Sequence, residues 1–234
     1  MTSQNKERYK QYHKFYLRDE KGQADRYRRQ VRDYTKKFGS LLAESPRGSA
    51  LDVGCANGML AAFLKEQGFE QVVGVDLNAE LIEQSKQNVE AEFLVADAGE
   101  FLKGGRQFDV IFLLNIVEHI ERDQLVEFMT AVYQSLNAGG FAIVRTPNMN
   151  TLLAAAHLAD DLTHCTGLTE QSFWQLAHAA GFTKIHFLNQ FLMQNFKGKI
   201  KAILNWPIHK YLFALRGGTK TTIYYRNLYV QMGK

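Results

Sequence analysis

Short apolar runs recur along the middle of the chain at Ala50–Val53, Gln71–Val75, Glu92–Val95, Asp109–Leu114 and Gly140–Arg145. Each is too short for a helix and reads as a buried strand. Helix-period patterns fill most of the gaps, near Met59–Gln67, Ala79–Asn88 and Gln124–Leu136, each followed by a stop signal such as Gly68 or the pair Gly139-Gly140. Strand alternating with helix predicts an α/β fold, and right-handed crossovers make it a doubly wound, mostly parallel sheet. Past Pro147 the pattern predicts a polar stretch, a helix near Thr169–Ala180 closed by Gly181, and two strands near Thr183–Leu188 and Thr222–Met232. Residues 1–40 stand before the first strand. They are rich in Tyr and Arg and predict one or two helices, a lid or extension in front of a domain over 41–234.

Composition narrows the class. With 234 residues, 46% hydrophobic and 22% charged, the chain suits one globular domain with a full core. No run approaches the roughly 18 to 20 apolar residues of a membrane-spanning helix, and the polar N-terminus lacks a signal peptide's apolar stretch, so a cytoplasmic protein is expected. Cys55 and Cys165 are the only cysteines and have no metal-ligand spacing, which predicts neither a disulfide nor a metal site. The net charge of +4 conceals an asymmetry. Residues 1–40 hold 12 bases and 5 acids, 41–190 hold 8 and 19, and 191–234 hold 8 bases and no acid. Two basic ends around an acidic middle suit an anionic surface, or are the solvated faces of terminal helices.

The loops after the strands carry the candidate chemistry. The first strand runs into Gly54-Cys55-Ala56-Asn57-Gly58, small residues where the backbone turns beside a ligand. Asp52 precedes that turn, where a carboxylate repels a pyrophosphate but assists an ammonium group through bound water. Met59 stands where a dinucleotide fingerprint has its third Gly, so a phosphate-rich cofactor is disfavoured. Asp76, followed by Leu77, ends the second strand, in place to accept from both hydroxyls of a ribose. Asp97, followed by Ala98, ends the third, in place to accept from an adenine amino group. The fourth strand leads into Asn115-Ile116-Val117-Glu118-His119, whose backbone and apolar side chains would border the far end of the cofactor. Any one of these acids is explicable as a cap or turn residue; three in register after three successive strands point to one cofactor.

These segments resemble the class I methyltransferase family: Leu51-Asp52-Val53-Gly54-Cys55-Ala56-Asn57-Gly58, Gly74-Val75-Asp76-Leu77, Ala96-Asp97-Ala98, Phe108-Asp109-Val110-Ile111, and Leu136-Asn137-Ala138-Gly139-Gly140 before the fifth strand. The resemblance covers roughly residues 45–190. It implies S-adenosylmethionine as cofactor and a seven-stranded sheet whose last strand, near Thr222–Met232, inserts antiparallel beside the fifth. One departure is Ala56, where the family usually has Gly, which predicts modest crowding without loss of binding.

Methyl transfer to an alcohol needs alignment and a base for the hydroxyl proton. His119 and His164 are the candidate bases, since imidazole titrates near neutrality; either is also explicable as a cap or spacer. His164 belongs to the string Asp160-Asp161-Leu162-Thr163-His164, followed by Leu168-Thr169-Glu170. That string resembles a subgroup associated with bacterial surface-polysaccharide and glycolipid biosynthesis. The resemblance implies a glycan, glycolipid or related acceptor, with Asp161 orienting the imidazole of His164. The plainer alternative has Asp161 and Thr163 capping a turn, and Thr169 with Ser172 starting the next helix. Residues 191–220 read as a basic amphipathic insertion. Within it, 196–216 interleaves Lys with aliphatics and Trp206, as contact with the inner face of a membrane requires, or as a helix covering the sheet edge would. Tyr9, Tyr12, Phe15 and Tyr16 form a water-excluding lid or pack the first helix. An RNA methyltransferase, a quinone-precursor or carboxylate methyltransferase, and a cofactor-binding partner protein are the rival readings. Asn115-Ile116-Val117-Glu118 lacks the Pro-Pro-aromatic setting of base-amino methylation, and Cys165 lacks a preceding Pro, which argues against nucleic acid.

Overall fold

The computed structural model of the chain describes residues 23–151, 154–188, 196–215, 223 and 225–234. Tyr9, Tyr12, Phe15 and Tyr16 of the expected lid lie outside the described residues. In chain order the elements are α1 (Gln23–Phe38), β1 (Ser49–Val53), α2 (Met59–Glu66), β2 (Gln71–Asp76), α3 (Ala79–Asn88), β3 (Glu92–Val95), α4 (Ala98–Lys103), β4 (Phe108–Leu114), α5 (Leu125–Gln134), β5 (Leu136–Pro147), α6 (Ala154–Ala159), α7 (Glu170–Ala179), β6 (Lys184–Phe187), α8 (Phe196–Leu215) and β7 (Asn227–Gly233).

The strands make one seven-stranded sheet in the order β3-β2-β1-β4-β5-β7-β6. β1 to β5 pair parallel, and β7 runs antiparallel between β5 and β6. Strand order reverses between β1 and β4, and the crevice beyond the carboxyl ends at that point is where an open α/β sheet takes its ligand.

Side-chain alternation divides the core into two layers. From β4, Ile111 and Leu113 join Val53, Val75, Val144, Val230 and the inner faces of α5 and α7. Val110 and Phe112 point the other way, onto α1, α2 and Ile82 of α3. Helix α1 therefore packs on the sheet. Val31, Tyr34 and Phe38 recur on one face, and the Phe38 ring meets Phe112 edge-on at 5.4 Å.

Four stretches differ from the sequence reading. Gly139-Gly140 does not stop a helix: α5 has ended at Gln134, and both glycines lie within β5, where its register with β4 shifts. A side chain at Gly140 would come within 2.8 Å of the Asp109 carbonyl oxygen, so glycine there permits the close approach. Three elements escaped the periodicity because each is shorter than two turns: α4, α6 and the 3-10 turn Val117–His119. Asp109 ties β4 to its neighbours, accepting from the Ser49 backbone N–H at 2.8 Å and from Asn137 Nδ2 at 2.8 Å.

Candidate active site

The turn after β1 is folded back onto β2. Gly54 and Cys55 both donate backbone N–H groups to the Val75 carbonyl, at 2.8 and 3.1 Å. Gly54 and Gly58 take φ of 72° and 82°, a region that costs a side chain strain and suits glycine. Ala56 adopts φ 46° without being glycine. Its strain is held from both sides: its N–H donates to Asp76 Oδ2 at 3.0 Å, and its carbonyl accepts from Ser85 Oγ at 2.8 Å. The expected crowding at Ala56 is thus a matter of backbone conformation. Cys55 turns its side chain into the core beneath the turn, and burial pushes its thiol far above the ordinary range.

Asp76 is fixed by two backbone donors, Ala56 N to Oδ2 and Asn78 N to Oδ1 at 2.9 Å. These contacts fix the direction in which the carboxylate points. Asp97 caps α4 through Glu100 N, at 3.2 Å, while its side chain reaches the cavity. Asp52 is wholly buried, and its Oδ2 makes no hydrogen bond. Burial, reinforced by the charge of Asp76, pushes its carboxyl up to about 8.

A cavity of about 220 Å³ opens between the ends of β1, β2, β3 and the turn after β4. Gly54, Asp76, Leu77, Asp97, Ala98 and Ile116 line it together with Gly99, Ile120, Gln124 and Phe128. The last four were not among the sequence candidates; α5 and the turn after β4 supply three of them, and only the fold brings those helices to the strand ends. Asp52, Cys55, Ala56, Asn57 and Gly58 shape the turn from behind without lining the cavity. Of the pair Asn115 and Ile116, only Ile116 lines this cavity. Asn115 sits at φ 62°, exposed, with Oδ1 accepting from Arg145 Nε at 2.7 Å, and so pins β4 to β5.

Beside Ile116 and Ile120 lies a second cluster, assembled from residues far apart in sequence. The loop 161–166 is laced to the turn Val117–His119: Cys165 and Thr166 donate backbone N–H groups to the Glu118 carbonyl at 2.9 and 3.1 Å, and Thr166 Oγ1 donates to the Ile120 carbonyl at 2.8 Å. This brings the His119 and His164 rings to 4.9 Å. Asp161 Oδ1 accepts from Thr163 N at 2.8 Å and Thr163 Oγ1 at 2.6 Å, and Asp161 Oδ2 stands 3.9 Å from His164 Nε2. Asp161 therefore both caps its turn and faces the imidazole. Thr169 and Ser172 form the capping box of α7.

His119 is 3% exposed, and burial, with His164 beside it, pushes its imidazole down to about 4. Glu118, 1% exposed, is pushed up by burial to about 7. Among the described residues, Glu118, His119 and His164 bring one possible metal-donor atom each within 4.8 Å of one another, where the sequence suggested no metal site. Glu118 and Thr163 were missed as site residues; the spacing Val-Glu-His was the available signal for the first.

An acid behind the glycine turn and acids closing β2 and β3 on a switch-point cavity define the class: an α/β domain built to hold an adenosine cofactor bearing a positive charge. A methyltransferase-domain family model matches residues 24–187, and the chain belongs to that family. The ubiquinone biosynthesis O-methyltransferase of Rickettsia bellii is 33% identical over 103 residues, 42% of this chain and 41% of that protein. That of a Ruegeria species is 34% identical over 105 residues, 43% and 41%. The chain thus spans less than half the length of these relatives. In fold it is similar to an S-adenosylmethionine-dependent methyltransferase from Archaeoglobus fulgidus (TM-score 0.64, 20% identity, covering 89% of this chain and 92% of that one). It is also similar to the plantazolicin methyltransferase BamL, solved with a triazolic substrate analogue and S-adenosylhomocysteine (TM-score 0.60, 17% identity, 99% and 97%). S-adenosylmethionine is the cofactor for which the cavity fits. Asp52 Oδ2, buried behind the turn without a hydrogen-bond partner, is an acceptor that a bridging water would tie to the ammonium group of such a cofactor.

Proposed function

We propose that the protein transfers the methyl group of S-adenosylmethionine to a hydroxyl of a sugar or related group carried on a glycan or glycolipid. The observation that carries this is the adjacency of two sites: Ile116 and Ile120 wall the cofactor cavity, and the turn between them holds His119 against His164 and Asp161. The bound cofactor supplies an electrophilic methyl on a sulfonium. Asp76 and Asp97 would hold its ribose and adenine, and Asp52 would act on its ammonium end through water. The acceptor oxygen forms its bond to the methyl carbon as its proton passes to the imidazole of His164, charge-stabilised by Asp161. The broken carbon–sulfur bond leaves its pair on sulfur.

The names of the relatives favour a second acceptor, the phenolic hydroxyl of a quinone precursor. The same base serves both, since each acceptor loses an O–H proton. A lipid-linked form of either acceptor would give α8 a purpose. Its Phe196, Ile203, Leu204 and Tyr211 share one face and are 60–78% exposed, and Lys197, Lys199 and Lys210 sit at the margins of that face. We place this helix on the inner face of a membrane, at an anionic lipid surface.

The test incubates the protein with methyl-labelled S-adenosylmethionine and fractions of cells lacking its gene. Label in lipid-linked or free glycan supports the first acceptor, label in a quinone precursor the second. Label in nucleic acid overturns both.

A further inference from the structure

Arg145 is held by a neighbour yet bonded to no acid. It stands near the carboxyl end of β5, in register with Leu114 of β4 and Tyr229 of β7. Asn115 clamps it twice: the Asn115 backbone N–H donates to the Arg145 carbonyl at 2.8 Å, and Arg145 Nε donates to Asn115 Oδ1 at 2.7 Å. Asn115 sits at φ 62°, a left-handed conformation that persists where its surroundings hold it. The clamp takes one of the five guanidinium N–H donors. Among the described residues, the four on Nη1 and Nη2 form neither a hydrogen bond nor an ion pair. A half-buried guanidinium left in this state costs desolvation with no ion pair to offset it. Pinned at Nε, it presents a planar fork that matches two oxygens of an acid group.

Its place in the sheet says which acid group. Val144 faces α5 and α7, so by alternation Arg145 faces the α1 side, where Tyr229 also packs. The charge of Arg145 is felt by Tyr34 of α1 and by Glu118. Asp52, which marks the ammonium end of the cofactor, lies on β1, two strands away in the order β1-β4-β5, about 10 Å at ordinary strand spacing. The turn that carries Glu118 and His119 instead begins two residues after Asn115 itself. We propose that Arg145 is a specificity residue for the acceptor: its fork takes a carboxylate or phosphate that the acceptor carries close to the hydroxyl to be methylated. This rests on the O-methyl transfer reading above and narrows it to an acidic sugar or an acidic phenol. Glu118, with Asp161 acting on it, sets a negative field on this side that would turn an acid away; Arg145 is the charge that offsets it. A pin between β4 and β5 needs only Nε, and losing a mere pin lowers stability without selecting among ligands.

The test reads binding, not turnover. Calorimetry on the full chain saturated with S-adenosylhomocysteine compares two pairs, 3,4-dihydroxybenzoate with catechol and glucose 6-phosphate with glucose. In at least one pair the acid should bind the wild type about tenfold or more tightly than its neutral counterpart. Arg145→Gln should bring that pair within about twofold and leave the Kd for S-adenosylhomocysteine unchanged; Arg145→Lys, which keeps the charge and loses the fork, should fall between. Equal binding within both pairs, no binding of either acid, or a preference that survives in Arg145→Gln overturns the proposal. The cofactor's own carboxylate is the other source of the same chemistry, and methylthioadenosine, which lacks the amino-acid end, separates it. If Arg145→Gln weakens S-adenosylhomocysteine but not methylthioadenosine, the guanidinium serves the cofactor and the proposal fails. If circular dichroism finds Arg145→Gln unfolded, Arg145→Lys decides: a preference reduced about threefold or more supports the fork, an undiminished one overturns it. Acids that bind through Arg145 yet never accept a methyl group would end the O-methyl transfer reading and leave the anion site standing.

Discussion

At the scale of single residues, the site stores two local costs that the sequence half disclosed. Ala56 occupies a left-handed conformation that disfavours a side chain by roughly 1–2 kcal/mol. Glycine relieves that strain and loses more entropy on folding, so Ala56→Gly should stabilise the protein by up to about 1 kcal/mol in denaturant titration and leave cofactor affinity within about twofold. Asp52 is the second cost. Its folded-state carboxyl is raised to about 8, above its ordinary value near 4, so its contribution is fully favourable below about pH 4 and is lost as pH rises through about 8. Asp52→Asn should therefore raise the melting temperature more at pH 8 than at pH 5. Cofactor binding should release a proton from Asp52 near pH 7, seen as a dependence of the calorimetric enthalpy on buffer ionisation, and the Asn variant should lack that dependence. The acids and the glycine turn were legible because each ends a strand. Thr163 was legible only as a cap, since its partner His119 lies 44 residues away and nothing local marks the pairing.

At the scale of elements, strand positions followed from short apolar runs, and helices of two turns or more from 3.6-residue periodicity. The shorter turns did not, and the extent of β5 was underestimated because Gly139 and Gly140 look like punctuation. Helix α1 was expected before the sheet; its Phe38 is fully buried against Phe63 and Phe112. Phe38→Ala should cost about 3–5 kcal/mol, measured by denaturant unfolding. Helix α8 tests the membrane reading. Vesicles containing phosphatidylglycerol should sediment the wild-type protein and pure phosphatidylcholine vesicles should not. Leu204→Asp should abolish sedimentation without changing the melting temperature, because that side chain is 68% exposed. Equal binding to both vesicles, or to neither, would contradict it. None of the described helices is long and apolar enough to cross a membrane, so any attachment made by α8 is interfacial.

At the scale of the whole molecule, fold and cofactor were legible together, because one set of loops at the carboxyl edge of a parallel sheet specifies both. The acceptor was not, because the segments proposed to meet it, the loop 161–166 and α8, follow no pattern that names a ligand. The central claim is that the cavity bounded by Gly54, Asp76 and Asp97 holds S-adenosylmethionine. Calorimetric titration of the cofactor into wild-type protein and Asp76→Ala, with circular dichroism to verify folding of the variant, tests it most directly. The wild type should bind at one site per chain, and the folded variant at least a hundredfold more weakly. Absence of binding in the wild type, or undiminished binding in Asp76→Ala, would contradict it.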